Sequence, residues 1–238
     1  MDYPMFPCGD CAATLQIGDR ICEEVNRTVV SVMSALQQAA IPGVRELVPS
    51  YGAVCIHYDP ELLSYDALQN RIRQISTQQP VQGGGNDRPA VRIHVCYGGD
   101  YGPDLAFVAE HSGLTPEEVV RRHSAGRYLV YMLGFLPGFA YMGGMDESIA
   151  CPRLASPRAR IPAGSVGIAG GQTGIYPLAS PGGWQLIGRT PVKLFSIEGT
   201  HSTFALSAGD RVQFVPVSPE EYRKLEAGVC SRSNDPAC

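Results

Sequence analysis

Lysine is almost absent. The 238 residues hold two, Lys193 and Lys224, against 17 arginines, and each lysine is followed by leucine. A P-loop needs lysine followed by Ser or Thr after a Gly-rich turn, so the chain carries none. Covalent biotin needs a lysine flanked by methionine. Val192 and Arg223 precede the two lysines, which excludes attached biotin. Nucleotide chemistry must therefore use another phosphate-binding device or another chain. No apolar run approaches the ~18 residues of a membrane span. The first ten residues hold Asp2, Pro4, Pro7 and Asp10 and no basic residue. That is unlike a secretory leader, and a cytoplasmic protein is expected. Tryptophan occurs once, at Trp184.

What is present describes a folded chain. Hydrophobic residues make up 44% and charged residues 18%, with a mean hydropathy of −0.05. That balance can bury a core and is too apolar for disorder. A net charge of −4 argues against nucleic acid as the main partner. The length fits one large domain or two small ones. The eight cysteines are Cys8, Cys11, Cys22, Cys55, Cys96, Cys151, Cys230 and Cys238. They are scattered, and without a leader a disulfide framework is not expected. Cys8-Gly-Asp-Cys11 has CxxC spacing, but a zinc site would need a second close pair. The expectation is reduced thiols, with Cys55 and Cys96 as small core residues.

The first part alternates strands and helices. Ala13–Ile17 is strand-like. From Glu24 to Ala40 the apolar residues Val25, Val29, Val32, Leu36 and Ala39 share one helical face. Val44–Val48 and Ala53–Tyr58 flank Pro49-Ser-Tyr-Gly52 as a hairpin. Tyr65, Leu68, Ile72 and Ile75 mark a second helix. This β-α-β-β-α order predicts a small two-layer sandwich of ferredoxin-like type over residues 1–80. The run QQPVQGGGNDRP predicts a linker at 81–89.

The second part, 90–227, opens with a strand at Val91–Tyr97 and two short helices near 103–111 and 115–123. Thr115, Pro116 and Glu118 read as a capping box. From Gly126 to Thr190 there are 13 Gly and six Pro in 65 residues. Short strands separated by turns predict a β-barrel. Arg211–Val217 is a last strand, Ser218-Pro-Glu-Glu221 caps a final helix, and 228–238 reads as a frayed tail. The fold class is therefore α+β.

From Ser148 to Ile197 there is no Asp or Glu, while Arg153, Arg158, Arg160, Arg189 and Lys193 lie inside. With turn N–H groups, such a stretch suits a carboxylate or phosphate. Equally, its arginines can pair with acids from elsewhere. Gly164-Ser-Val-Gly167 lacks the first glycine and the strand–turn–helix setting of a nucleophile elbow, so it reads as a turn. His111 and His123 lack metal-ligand spacing and read as capping or core residues, and no metal site is expected. Trp184 reads as a buried anchor or as a pocket wall.

Leu133-Gly-Phe-Leu-Pro-Gly-Phe139 with Tyr141 resembles the signature loop of the allophanate hydrolase subunit 1 family. Pro162–Gly167, Gln172–Pro177, Ser180–Pro191, Tyr97–Leu105 and Glu117–Ser124 match the same pattern. That family includes the 5-oxoprolinase B subunit and the sporulation kinase inhibitor KipI. The resemblance runs from about Cys8 to Val217. It implies a small α/β domain followed by a cyclophilin-like β-barrel. It further implies one component of an ATP-dependent hydrolase that opens the lactam of 5-oxoproline to glutamate. The partners would be the 5-oxoprolinase C subunit, itself cyclophilin-like, and the A subunit. ATP with Mg2+ would be bound by this chain, by its partner, or between them. Two alternatives remain open: a regulator that docks on a histidine kinase, and a carboxyltransferase half like that of urea carboxylase. The resemblance suggests Arg158, Ser165 and Arg189 as catalytic positions, the two arginines holding anionic groups. Gly164, Ser165, Gln172 and Thr173 would supply turn donors. Phe135, Pro137, Gly138, Phe139 and Tyr141, with Tyr176 and Trp184, would shape an apolar wall for substrate or ATP.

Overall fold

Apolar and polar residues alternate along the strands of the first sheet. In this computed structural model, which describes residues 3–78, 89–198 and 201–228, the chain divides into two units, Met1–Asp87 and Arg88–Cys238. The first unit contains β1 (Met5–Pro7), β2 (Ala12–Gln16), α1 (Glu23–Ala39), β3 (Val44–Pro49), β4 (Ala53–Tyr58) and α2 (Tyr65–Gln78). The sheet is antiparallel in the order β1-β2-β4-β3. Its edge strand beside β2 comes from the segment before β2, not from one after α2. Ala13, Leu15, Val54, Ile56 and Tyr58 pack beneath Val29, Val32 and Leu36 of α1 and Leu68 and Ile72 of α2. Each fully buried aliphatic side chain of this kind contributes about 1.5–3 kcal/mol.

Three details differ from expectation. The α1 stripe stops at Leu36, leaving Ala39 exposed, and it begins with a buried polar residue, Asn26, one turn before Val29. Cys55 is only half-buried, because Val54 and Ile56 take the inward positions and period-two alternation turns Cys55 to the other face. Cys8 and Cys11 are free and exposed in the β1–β2 turn, closed by Cys8 N–H donating to the Ala12 carbonyl at 2.8 Å. The expected linker and tail lie outside the described residues, apart from Pro89 and Gly228.

The second unit begins with β5 (Val91–Tyr97), α3 (Leu105–Ser112), α4 (Pro116–Ala125), β6 (Tyr128–Leu133) and β7 (Ala140–Gly143). It continues with β8 (Arg158–Ile161), β9 (Ser165–Ala169), β10 (Gln172–Ile175), β11 (Ser180–Gly182) and β12 (Gln185–Arg189). β13 (Phe195–Glu198), β14 (His201–Phe204), β15 (Arg211–Pro216) and α5 (Pro219–Glu226) complete it. Seven strands close a barrel in the order β10-β7-β6-β15-β5-β12-β9. β15 runs parallel to β5, and the remaining barrel pairs are antiparallel. Closure leaves no barrel edge unpaired, which is how such short, glycine-broken strands form a stable sheet. The core holds Ile93, Val95, Val130, Met142, Val166, Ile168, Ile187 and Phe214.

The α4 cap is half of what the sequence suggested. Thr115 Oγ accepts from Glu118 N–H at 3.2 Å, but the Glu118 carboxylate turns to Arg121 and Arg122. The Ser218–Glu221 box of α5 is complete in both directions. Among the described residues no helix is long and apolar enough to cross a membrane.

Candidate functional site: an aromatic shelf and a charged cleft

The β6–β7 loop is drawn tight by its own backbone. Gly134 N–H donates to the Phe139 carbonyl at 3.1 Å, and Phe139 N–H to the Leu136 carbonyl at 2.9 Å. The tightness forces Phe135 to φ 68°, one of two positive-φ non-glycine residues among those described. Such a conformation costs of order 1–3 kcal/mol and persists only where the surroundings impose it. Phe135 is also 62% exposed. Beneath it lies an aromatic stack. The Phe135 ring meets Phe139 edge-on at 5.6 Å and Tyr176 at 6.4 Å. Phe139 meets Tyr141 at 4.8 Å, Tyr176 at 5.3 Å and Trp184 at 5.5 Å, all T-shaped. Phe139, Tyr176 and Trp184 are buried, so the surface of this shelf belongs to Phe135 and Tyr141. Pro137 is exposed beside them, and Gly138 is buried under β13. Arg153 stacks over Trp184 at 6.0 Å, a cation at the shelf that motif reasoning did not single out.

The two arginines expected to hold anions stand in different places. Arg158 on β8 makes a bidentate pair with Asp104, at 2.9 and 2.7 Å. Asp104 also accepts from Leu186 N–H at 2.7 Å. The pair therefore ties β8 and the start of α3 to β12. Arg189, at the end of β12, makes no ion pair among the described residues. Its guanidinium lies over Tyr101 at 5.9 Å, and its Nε is buried without a hydrogen-bond partner. Arg189 lines a cleft of about 620 Å³ with Tyr97, Asp100, Tyr101, Tyr222 and Arg223. No residue of that lining belongs to the aromatic shelf.

The expected turn donors are already in use. Gly164 N–H donates to the Tyr176 carbonyl at 2.7 Å, and Ser165 N–H to Pro162 at 3.3 Å. Gly164 has φ 80°, and a Cβ there would sit 2.2 Å from the Thr190 carbonyl oxygen. Only glycine permits this approach, which holds the turn against the end of β12. Ser165 is fully buried and its Oγ has no partner. Gln172 and Thr173 belong to β10, with Thr173 fully buried.

Thr173 instead ends a hydrogen-bonded chain that the sequence did not reveal. Tyr97 Oη lies 2.8 Å from His123 Nδ1. His123 Nε2 lies 2.9 Å from Thr173 Oγ1, which donates to the Gly167 carbonyl at 3.1 Å. A carbonyl only accepts, so the direction follows: Tyr97 O–H donates to Nδ1, and Nε2–H donates to Thr173. His123 stacks on Phe214 at 4.6 Å, and burial pushes its pKa down to about 3. The imidazole is neutral and structural, in line with the core reading. Chemically, the shelf suits a small flat ring, and the cleft suits carboxylate or phosphate groups.

Residues 4–205 match the family described as carboxyltransferase domain, subdomain C and D. Over 234 residues the chain is 42% identical to the 5-oxoprolinase B subunit of Bacillus subtilis (strain 168), covering 92% of this chain and 95% of that one. The crystal structure of TTHA0988 is 38% identical with a TM-score of 0.77, over 87% of this chain and 40% of that one. The urea carboxylase of Kluyveromyces lactis, at 18% identity, shares the fold with a TM-score of 0.76 over 94% of this chain and 22% of that one. The chain thus belongs to the carboxyltransferase subdomain C and D family and, within it, to the group of 5-oxoprolinase B subunits that its loop motifs resemble.

Proposed function

We propose that this chain is the B subunit of an ATP-dependent 5-oxoprolinase, acting in the cytoplasm with the C and A subunits to open 5-oxo-L-proline to L-glutamate. The observation that carries the reading is the match along nearly the whole of both chains to a protein of that name. We further read the first unit as a ferredoxin-like sandwich with a relocated edge strand, and the second as a cyclophilin-like barrel.

The lactam is unreactive, so its carbonyl oxygen has to be activated, and ATP can do this by phosphorylation. ATP with Mg2+ enters as co-substrate, on this chain through a device other than a P-loop, on the partner, or between the subunits. The five-membered ring packs on Phe135 and Tyr141, with Arg153 beside them for its carboxylate. Phe139, Tyr176 and Trp184 back the shelf, and Pro137 and Gly138 set the loop. Arg158, through Asp104, holds the neighbouring strands in place. Ser165 and Thr173 act from inside the barrel as positioning groups, as do Gly164 and Gln172 on their strands and turns.

Likeness to urea amidolyase of Saccharomyces cerevisiae, 33% identical over 132 residues, favours a carboxyltransferase as the second reading. The test is ATP-dependent release of glutamate from 5-oxoproline, by this chain alone and then with the C and A subunits. Activity only with all three is the expected result. A complete but inactive complex overturns it and turns attention to carboxyl transfer from biotin and to kinase docking.

A further inference from the structure

We propose that the cleft beside β12 and α5 binds a dicarboxylic α-amino acid through Arg189, Arg223 and Asp100. The choice of glutamate as its ligand rests on the functional reading above, where glutamate is the product.

The cleft holds charges that the fold leaves unpaired. Arg189 and Arg223 line one cleft and neither makes an ion pair among the described residues. The cleft has two carboxylates, Asp100 and Glu226. Glu226 accepts a hydrogen bond from Tyr222 at 3.3 Å. Burial and Glu226 push the Tyr222 pKa up to about 12, so its hydroxyl keeps the proton it donates. That hydrogen bond comes from a neutral hydroxyl and leaves the Glu226 charge in place, so the cleft presents two guanidiniums and two carboxylates. They are complementary to a ligand whose two carboxylates meet the arginines and whose ammonium meets the acids, Asp100 first among them because its carboxylate accepts no side-chain hydrogen bond among the described residues. A simple monocarboxylate leaves one guanidinium unmatched. An inorganic phosphate satisfies both arginines but meets Asp100 and Glu226 with like charge.

The surroundings fix the arginine. Its guanidinium lies over the Tyr101 ring, and Tyr101 in turn packs on Tyr222 with centroids 4.5 Å apart. The Nε finds no acceptor in the protein, so the hydrogen bonds open to this group lie on its outer nitrogens. A guanidinium held in this way loses little freedom on binding a carboxylate. Gly98 and Gly99, with φ of 70° and 51°, turn the chain back so that Asp100 and Tyr101 form the rim. The volume, about 620 Å³, lies within the range of small-molecule sites. Because the cleft and the shelf share no residue, the cleft can fill without displacing a ring on the shelf.

Isothermal titration calorimetry on the full chain tests this. L-Glutamate is expected to bind, with glutarate and 4-aminobutyrate at least about tenfold weaker. Arg189→Ala and Arg223→Ala are each expected to weaken glutamate at least about tenfold, with circular dichroism confirming the fold. Arg189→Gln stands in if Arg189→Ala does not fold. Asp100→Asn should erase the preference for glutamate over glutarate. No heat of binding up to about 10 mM glutamate, or unchanged affinity in the arginine variants, overturns the proposal. Turnover by the assembled enzyme, measured in parallel, separates the two ideas. Turnover without glutamate binding to this chain overturns the cleft inference alone. Glutamate binding without turnover overturns the functional reading and leaves the cleft standing.

Discussion

Arg158 and Arg189 lie in the same acid-free stretch of sequence and meet opposite surroundings. Arg158 is met by Asp104, from 54 residues away, in a bidentate pair that also takes in the Leu186 N–H. Arg189 has a tyrosine ring, a buried Nε with no acceptor, and open cleft. Residue type and local composition are the same, so the difference comes from what the distant chain brings. A local excess of positive charge becomes a binding site only where the fold brings no acid to it. Arg158 is therefore tied into the fold by a carboxylate, and Arg189 is the one the fold leaves without an acid among the described residues.

The largest expected effect comes from breaking the paired side. Asp104→Ala leaves a two-thirds buried guanidinium without its carboxylate and the Leu186 N–H without its acceptor. Removing one partner of a buried pair costs more than the pair is worth, here about 3 kcal/mol. Urea unfolding measures it. A loss below about 1 kcal/mol would show that the pair is not structural and remove the contrast with Arg189.

Next in size is the acid response of His123, a third way of handling a cationic side chain: keeping it neutral. Unfolded, His123 titrates near pH 6.5. Folded, it titrates near 3 because it is buried. Above pH 6.5 both states hold neutral imidazole and the full stability is present. As pH falls through 6.5, the unfolded chain takes up a proton that the folded chain refuses. Stability then drops by about 1.4 kcal/mol per pH unit until the folded group titrates. Between pH 6.5 and 5 the expected share is about 2 kcal/mol, read as the difference in slope between the natural chain and His123→Phe. Equal slopes would mean that His123 is already charged in the fold.

How much of this was legible follows from sequence distance. The helical faces Val29, Val32, Leu36 and Leu68, Ile72 were readable, because contacts between neighbouring turns leave a period in the sequence. So was the barrel, from its short strands and glycine turns. The loop from Gly134 to Tyr141 was visible as a motif, and the structure gathers its rings with Tyr176 and Trp184. β1 was not visible, because three residues preceded by Pro4 and ending in Pro7 are too few to show alternation. Cys55 was misplaced because an apolar run hides which residues face inward until a partner strand sets the register. The chain of Tyr97, His123 and Thr173 joins elements 26 and 50 residues apart, and the cleft joins β12 to α5. Such side-chain pairings carry no local signal in a single sequence.

A smaller effect is expected at the shelf. Phe135→Gly relieves the positive φ but gives up two ring contacts and adds backbone freedom to the unfolded chain. These oppose one another, so stability should change by less than about 1 kcal/mol. On the proposed function, turnover by the assembled enzyme should nevertheless fall at least about tenfold, because the exposed ring is the part of the shelf proposed to meet the substrate. A thermal melt and an initial-rate assay read the two effects separately. A large loss of stability with normal turnover would make Phe135 an ordinary packing residue.

The smallest expected change in stability is at Arg189, and its smallness carries the comparison. Arg189→Ala removes a stacking contact with Tyr101, worth up to about 1 kcal/mol. It also removes a buried Nε that has no acceptor, which is a gain of similar size. The two offset, and urea unfolding should move by no more than about 0.5 kcal/mol. Asp104→Ala and Arg189→Ala, measured side by side, then differ several-fold in stability although both alter the surroundings of a guanidinium. If Arg189→Ala were as damaging as Asp104→Ala, Arg189 would be holding the barrel end to α5. Its place in the cleft would then be a consequence of packing, and the open guanidinium would have no call on a ligand.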